Sequence, residues 1–204
     1  ARRARGMGFD WLFLNPIQYP GFSGSVYAIK DHFRLNPLFI PPDEPDPDGR
    51  LRQTLDQLHE CGMRVALDLV INHTAKDSRL VEQHPSWYRR EEDGTVASPF
   101  AVDPDDPTRK TVWGDLAEID NEGSADREGL WDHWARITRH YLEQGFDGFR
   151  CDAAYKVPAA LWRHVIEAAR QQEPEALFMA ETLGCQREEV RALRNAGFDL
   201  LFNS

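Results

Sequence analysis

The stretch GFDGFRCDAAYKVP, from Gly145 to Pro158, decides the fold because it contains a helix stop, an apolar strand and a helix start. Glycine enters the left-handed region without a Cβ penalty, so Gly145 predicts the end of a helix. The apolar run Phe146–Cys151 predicts a buried strand, and Pro158 predicts the first turn of the next helix. Side chains alternate along a strand, so Arg150 and Asp152 lie on one face. Charges in such a place need a partner or a function.

The same join between helix and strand recurs along the chain. Gly-Phe-Asp occurs at Gly8, Gly145 and Gly197, each time before an apolar run. The predicted strands are Trp11–Leu14, Val65–Val70, Phe146–Cys151, Leu177–Ala180 and Phe198–Phe202. Apolar residues at helical spacing fall between most of them, in particular Leu130, Trp134, Ile137 and Tyr141, and Leu161, Trp162, Val165, Ile166 and Ala169. Strands that alternate with helices predict a parallel sheet covered on both faces.

One long segment departs from this alternation. From Thr74 to Arg127 the chain is rich in Pro, Asp and Gly and shows no sustained period, which is typical of an irregular excursion that serves a site. The predicted organisation is a barrel part over residues 1–73, an inserted excursion over 74–126 and a second barrel part over 127–204. The Pro-rich, acidic stretch IPPDEPDPDG predicts a shorter surface loop.

Composition limits the class of partner. The 204 residues are 41% hydrophobic and 28% charged, enough for a sizeable core, and the formal net charge is −10. This charge argues against nucleic-acid or anionic-membrane binding, and no run is apolar enough to cross a membrane. The three cysteines, Cys61, Cys151 and Cys185, form no evident disulfide framework or metal motif, so we expect small buried side chains. No signal peptide is visible, but the sequence begins so abruptly, at ARRARGMGFD, that this absence says little about export. The location is left unknown, with the cytoplasm slightly favoured.

Polar residues collect where the predicted strands end. Val65–Val70 is followed by His73, Phe146–Cys151 by Asp152, and Leu177–Ala180 by Glu181. In a parallel α/β barrel these ends form the active-site rim. Two carboxylates from neighbouring strands are what a glycosidase needs, with Arg150 keeping Asp152 ionised and a secluded Glu181 retaining its proton. A structural ion pair between Arg150 and Asp152 is the alternative.

Four ordered motifs, GSVYAIKDHFRLNP, VALDLVINHT, GFDGFRCDAA and FMAET, resemble the α-amylase family of retaining glycoside hydrolases and transglycosylases. They resemble the loop after the second barrel strand and the third, fourth and fifth strands. The resemblance implies a (β/α)8 TIM-type barrel of which the chain holds about strands two to six. We expect the missing barrel segments to come from the rest of a full-length chain or from assembly, and the isolated piece to lack full activity.

The resemblance also implies site roles. Asp152 is the nucleophile, Glu181 the general acid and base, and Arg150 the partner that orients Asp152. His73 hydrogen-bonds the sugar in the cleavage subsite, and Tyr27 stacks against its ring.

Further roles follow from the same resemblance. Asp68 and Asp31 support the cleavage subsite, and Lys156 lies on the acceptor side, where many amylases have Lys-His in place of Tyr155-Lys156. No cofactor is expected. The resemblance leaves open whether a structural calcium ion binds. Asn72 matches one calcium ligand of the family, and Glu118 occupies the position of another, which is an Asp in the family. The third catalytic carboxylate of the family, at the seventh strand, has no counterpart.

The sequence therefore predicts an α-glucan-active enzyme that hydrolyses or transfers α-glucosidic bonds of a maltooligosaccharide through a covalent glycosyl-enzyme. The rival interpretations are a catalytically silent amylase-like binding or scaffold domain, an inactive fragment, and an unrelated barrel enzyme such as an aldolase. Linkage, chain length and oligomeric state are not indicated.

Overall fold

A computed structural model describes residues 1–103, 106 and 108–202 of the chain. Its main sheet has five parallel strands in the order β1-β4-β9-β10-β11. These strands are β1 (Trp11–Leu14), β4 (Arg64–Leu69), β9 (Gly148–Cys151), β10 (Leu177–Glu181) and β11 (Leu200–Phe202). The smaller strands are β2 (Gln18–Pro20), β3 (Ile29–Leu35), β5 (His73–Ala75), β6 (Phe100–Val102), β7 (Lys110–Val112) and β8 (Leu116–Glu118).

One helix precedes the main sheet, and the others lie between its successive strands. They are α1 (Arg2–Gly6), α2 (Pro47–Glu60), α3 (Arg79–Gln83), α4 (Arg127–Gln144), α5 (Ala159–Gln172) and α6 (Arg187–Ala192). Short 3-10 turns cover Pro37–Phe39, Pro85–Trp87, Ala154–Lys156 and Leu193–Asn195. Among the described residues no helix is both long and apolar enough to span a bilayer.

The structure confirms the predicted parallel sheet and all five of its strands, with shifts at their ends. Two strands begin later than predicted, β9 at Gly148 and β11 at Leu200. The reason is that the side chains of Asp147 and Asp199 accept hydrogen bonds from the backbone of the neighbouring strands, in place of regular backbone pairing at these positions.

The Gly-Phe-Asp repeat explains how these joins are built. The glycine has positive φ each time, 94° at Gly8, 108° at Gly145 and 98° at Gly197. The amide of Asp147 donates to the Val65 carbonyl, while its Oδ2 accepts from the Val65 amide at 2.7 Å.

Asp199 repeats this pair of bonds with the preceding strand. Its amide donates to the Phe178 carbonyl, and its Oδ2 accepts from the Phe178 amide at 2.8 Å. Asp147 therefore ties the start of β9 to β4, and Asp199 ties the start of β11 to β10.

The apolar stripes of the long helices form the core. Trp134 and Tyr141 of α4 and Trp162 of α5 are fully buried, as the helical spacing predicts. Pro158 is the N-cap of α5 rather than a first-turn residue, because its ψ of 133° is extended and the helix begins at Ala159. Cys151 is buried, whereas Cys61 and Cys185 are half-buried, so the cysteine prediction holds fully for Cys151 alone.

The segment between residues 74 and 126 contains short strands. β5 pairs with β8, and β6 pairs with β7, both antiparallel. Trp87 and Tyr88 are buried in this segment, while Phe100 and Trp113 are about two-fifths exposed, at 40% and 41%. Its status as a separate inserted domain stays a prediction. The acidic loop before α2 is shorter than predicted because α2 already begins at Pro47, with Asp46 capping its first turn.

Candidate active site

Three neighbouring strands bring charged side chains to one end of the sheet. In the parallel ladder Asp68 of β4 is the partner of Arg150 of β9, and Cys151 is the partner of Ala180 of β10. Asp152 and Glu181 each follow one residue later, so they stand level at the carboxyl ends of their strands, Asp152 just after β9 and Glu181 as the last residue of β10. Parallel pairing thus places residues that are far apart in sequence at one rim.

Arg150 lies at the centre of a carboxylate cluster. Its Nη1 donates to Asp152 Oδ1 at 2.7 Å and to both carboxylate oxygens of Asp68, at 2.9 and 3.0 Å. Its Nη2 lies 3.8 Å from Glu181 Oε2. All four side chains are largely shielded from solvent, with side-chain exposures of 17% for Arg150, 15% for Asp152, 12% for Glu181 and 0% for Asp68. The paired charges on one strand face are therefore part of a four-residue cluster.

Asp68 forms the floor of this cluster. The hydroxyl of Tyr27 donates to Asp68 Oδ2 at 2.9 Å, so the Asp68 carboxylate holds both Arg150 and Tyr27. Burial raises the pKa of Asp68 from 3.8 to about 6, although the hydrogen bonds and charge of Arg150 oppose the shift. Burial and the neighbouring Asp68 also raise the pKa of Tyr27, which keeps its hydroxyl a donor.

This raised pKa gives a testable dependence of stability on pH. The folded protein holds the Asp68 proton more tightly than the unfolded chain, so the stability contributed by the protonated form is present below pH 3.8 and is lost as the pH rises through about 6. At about 1.4 kcal/mol per pKa unit, the free energy of unfolding should fall by about 3 kcal/mol more in the wild type than in Asp68→Asn between these limits.

Chemical denaturation at pH values from 4 to 7 measures this difference. Asp56→Asn, which removes an exposed carboxyl group of α2 that forms no ion pair among the described residues, is the control for the loss of one acid. Parallel pH profiles for wild type and Asp68→Asn would contradict the assignment of this pKa to Asp68.

Glu181 is held by backbone amides on both sides. Its Oε2 accepts from the Ala153 amide at 2.8 Å, and its Oε1 accepts from the Leu183 amide at 3.0 Å. Ala153 directly follows Asp152 and has a φ of 42°, the only positive φ of a non-glycine residue in the described chain. An L-residue enters this left-handed region at a cost, so the backbone is strained at Ala153. This residue follows Asp152 in the chain, and its amide binds Glu181.

His73 contributes a neutral ring to the same place. Burial lowers the pKa of His73, and the charge of Asp152 opposes the shift. Its Nε2 lies 3.2 Å from the Tyr27 carbonyl, an acceptor, so Nε2 carries the proton and Nδ1 carries the lone pair. Nδ1 is buried and has no hydrogen-bond partner in the described part of the chain.

A cavity of about 410 Å³ joins these residues. It is lined by six of the eight residues to which the sequence assigns a catalytic or subsite role, namely Tyr27, His73, Arg150, Asp152, Lys156 and Glu181. The seventh, Asp68, lies beneath them. Asp31, the second expected support, lines a different cavity and accepts from the Phe33 amide, so the structure does not bring it into this set.

Lys156 connects the turn after Asp152 with the segment that precedes α4. Its Nζ donates to the Phe100 carbonyl at 2.8 Å, and it lines both the 410 Å³ cavity and an adjoining one of about 600 Å³. The two cavities share Asn72, Pro99, Tyr155 and Lys156 along their common wall.

Sequence reasoning did not place Asp115, Trp113 or Ala153 in this cavity. Asp115 lines it and its charge acts on His73, while the half-exposed Trp113 forms another part of the wall. Both lie in the irregular segment, where no periodicity indicates which side chains face inward. Ala153 contributes a backbone amide at unusual φ, for which the residue type carries no signal.

A calcium ion does not fit the residues first considered for it. Asn72 Oδ1 is buried with no hydrogen-bond partner in the residues that the structure describes, and Glu118 lines the same 600 Å³ cavity as Asn72. However, Arg89 Nε lies 3.5 Å from Glu118 Oε1, and the charges of Arg89 and Lys156 both act on that carboxylate. Calcium needs roughly six to eight oxygen ligands, and the described residues contain no group of three His, Cys, Asp or Glu that could hold a metal ion. No step below uses such an ion.

Parallel strands joined by helices, with a carboxylate cluster and a cavity at the strand ends, are typical of part of a TIM-type α/β barrel. Comparisons with known proteins identify the family within this fold class. The model of the glycogen debranching enzyme glucanotransferase domain matches residues 1–93.

The chain is also similar over most of its length to several characterised proteins. The alpha-1,4-glucan:maltose-1-phosphate maltosyltransferase of Bifidobacterium longum is 31% identical over 96% of this chain. An alpha-amylase from Lactobacillus plantarum is 31% identical, with a TM-score of 0.74 over 97% of this chain. An alpha-amylase from Geobacillus thermoleovorans, solved with acarbose, shares the fold with a TM-score of 0.77 over 98% of this chain at 19% identity.

The chain belongs to the α-amylase family. It spans 27% of the Bifidobacterium longum relative and 43% and 42% of the Lactobacillus plantarum and Geobacillus thermoleovorans amylases. The fold class and the family that the sequence predicted are thus confirmed, and what the whole protein does is a separate question.

Proposed function

We propose that this chain carries the nucleophile and the acid/base of an enzyme that cleaves or transfers α-glucosidic bonds with retention of anomeric configuration. The observation that carries the proposal is the pairing of Asp152 with Arg150 at 2.7 Å, with Glu181 on the next strand and in the same cavity. Two carboxyl groups from adjacent strands that face one cavity supply the nucleophile and the acid of a retaining glycosidase.

In the first step an Asp152 oxygen attacks the anomeric carbon of the sugar. The bond from that carbon to the glycosidic oxygen breaks, and Glu181 in its acid form gives its proton to the leaving oxygen. The result is a glycosyl ester on Asp152, a Glu181 carboxylate and a free leaving saccharide. The role of Arg150 is to hold Asp152 in one orientation through their 2.7 Å hydrogen bond.

In the second step Glu181 takes a proton from an acceptor hydroxyl. The acceptor oxygen bonds to the anomeric carbon, the ester bond breaks, and the Asp152 carboxylate is restored. Two inversions give net retention. Water as acceptor gives hydrolysis, whereas a saccharide hydroxyl gives transfer.

The remaining cavity residues would position the substrate. Tyr27, fixed by Asp68, offers an aromatic ring for stacking, and His73 Nδ1 offers an unpaired acceptor for a sugar hydroxyl. The adjoining 600 Å³ cavity beyond Lys156 provides room for an acceptor saccharide. An α-glucan or maltooligosaccharide is the substrate class that this arrangement and the names of the relatives support.

The test uses the full-length protein with maltoheptaose, and separately with maltose 1-phosphate plus a glucan acceptor. Proton NMR should detect α-configured products before mutarotation, and the lengths of the products separate hydrolysis from transfer. Products of β configuration would overturn the retaining mechanism. Binding of maltoheptaose without turnover of either substrate would favour the silent binding domain.

A further inference from the structure

A second cavity lies apart from the carboxylate cluster, between the β2–β3 hairpin, α3 and α4. Its volume is about 300 Å³, the lower end of the range for small-molecule sites. None of the residues that line the 410 Å³ cavity belongs to it.

The walls of this cavity carry unpaired positive charge. Arg34 of β3, Arg79 of α3 and Arg136 of α4 line it, and within the described residues none of the three forms an ion pair with a carboxylate. The guanidinium groups of Arg34 and Arg136 lie over aromatic rings, at 4.4 Å from Tyr19 and 5.4 Å from Phe33. This arrangement leaves the N–H groups of Arg34 available, and those of Arg136 apart from the one that contacts His133.

Other charges in the wall do not cancel these three. Lys30 pairs with Asp77 at 2.6 Å. The only carboxylate among the described lining residues is Asp31, whose Oδ1 already accepts from the Phe33 amide. The cavity therefore has a local excess of positive charge in a chain whose formal net charge is −10.

His133 supplies a second and independent sign of a ligand. Arg136 donates to His133 Nδ1 at 3.0 Å, so Nδ1 is an acceptor and the proton of the neutral ring must be on Nε2. Burial lowers the pKa of His133 to about 3, which leaves the ring neutral at physiological pH. His133 is 7% exposed, and its Nε2 has no partner in the described part of the chain. A buried N–H without an acceptor is costly, and an oxygen ligand would satisfy it.

His32 repeats this pattern beside it. The two rings lie with centroids 6.4 Å apart, and His32 is 3% exposed with no hydrogen-bond partner for either nitrogen among the described residues. The Val70 backbone approaches His32 and opposes the lowering of its pKa by burial, but lies outside hydrogen-bond geometry. A neutral ring always carries one N–H, so a second buried donor lacks an acceptor.

We propose that this cavity binds the phosphoryl group of a small molecule, either free phosphate or a phosphate ester. Three guanidinium groups and buried imidazole donors match the several acceptor oxygens and the negative charge of a phosphoryl group. A metal ion does not suit the same walls, because the guanidinium groups would repel it, and the described histidines do not converge with other donors as metal ligands. Nucleic acid does not suit it either, because the cavity is small and the chain is acidic.

Isothermal titration calorimetry of the full-length protein with inorganic phosphate and with glucose 1-phosphate tests the proposal. Wild type should bind at least one of them. Arg79→Gln and Arg136→Gln should each raise its Kd by about tenfold or more, because each removes a charged hydrogen bond. Both side chains are exposed, so we expect the variants to fold, and their thermal unfolding checks this.

The matched control is Arg139→Gln, on the same helix, with the same loss of charge and no place in the cavity wall. Its Kd should stay within about twofold of wild type. Tighter binding of glucose 1-phosphate than of phosphate would identify a phosphate ester as the ligand, and the reverse would identify free phosphate. Absence of binding by wild type, or equal effects of all three substitutions, would overturn the proposal.

Discussion

Asp152→Asn should lower the rate of the full-length enzyme on maltoheptaose by about 10⁴-fold or more, as removal of a catalytic nucleophile does elsewhere. The amide cannot form the glycosyl ester that the mechanism requires. Because asparagine keeps the size of the side chain and an oxygen that accepts from Arg150 Nη1, the fold and the neighbouring ion pairs should remain. Initial rates by product analysis measure the effect.

Asp132→Asn is the control for this experiment. It makes the same chemical change on an exposed residue of α4 and should leave the rate within about twofold, as is usual for surface substitutions. Thermal unfolding of both variants shows whether they are folded. If Asp152→Asn retains a rate within tenfold of wild type, Asp152 is not the nucleophile.

Glu181→Gln should separate the two steps of the reaction. Loss of a general acid lowers rates by about 10²–10⁴-fold when the leaving group needs a proton, as a saccharide does. Fluoride leaves without a proton, so the first turnover of α-maltosyl fluoride should be much less affected. Glutamine also keeps one oxygen to accept from the Ala153 or Leu183 amide, which supports the local turn.

The measurement is the burst of released fluoride beside the steady-state rate on maltoheptaose. Wild type should react readily with both substrates. In the variant the steady-state rate on maltoheptaose should fall strongly, while the burst of released fluoride should be largely kept. Equal losses on both substrates would argue that Glu181 supports the structure of the site rather than transferring a proton.

The strands of the main sheet could be predicted from the sequence because short, local patterns of apolar and turn residues mark each of them. The run Trp11–Leu14 is apolar and is bounded by turn residues, and the structure has the same strand. The alternation of side chains placed Arg150 and Asp152 on one face, and the salt bridge between them confirms this. The prediction that Asp152 and Glu181 are catalytic remains to be tested, although the rim that they share follows from the parallel sheet.

The cationic cavity could not be predicted because it depends on distant parts of the chain. Arg34, Arg79 and Arg136 belong to three elements that only the tertiary fold brings together. The unpaired nitrogen of His133 is also invisible in the sequence, since a histidine on a helix face normally finds a partner. The φ of Ala153 is a third case, because alanine gives no sign of a left-handed conformation.

The pair of hydrogen bonds that Asp147 and Asp199 each make with a neighbouring strand has a consequence for folding cooperativity. Asp147 closes the backbone of β4, and the carbonyl of the same residue accepts from the Leu177 amide at the start of β10. One residue thus joins three successive strands. The backbone hydrogen bonds at the start of each strand are complete only when the next strand–helix unit is in place. Neighbouring units should therefore open together, rather than one at a time, in native-state hydrogen exchange.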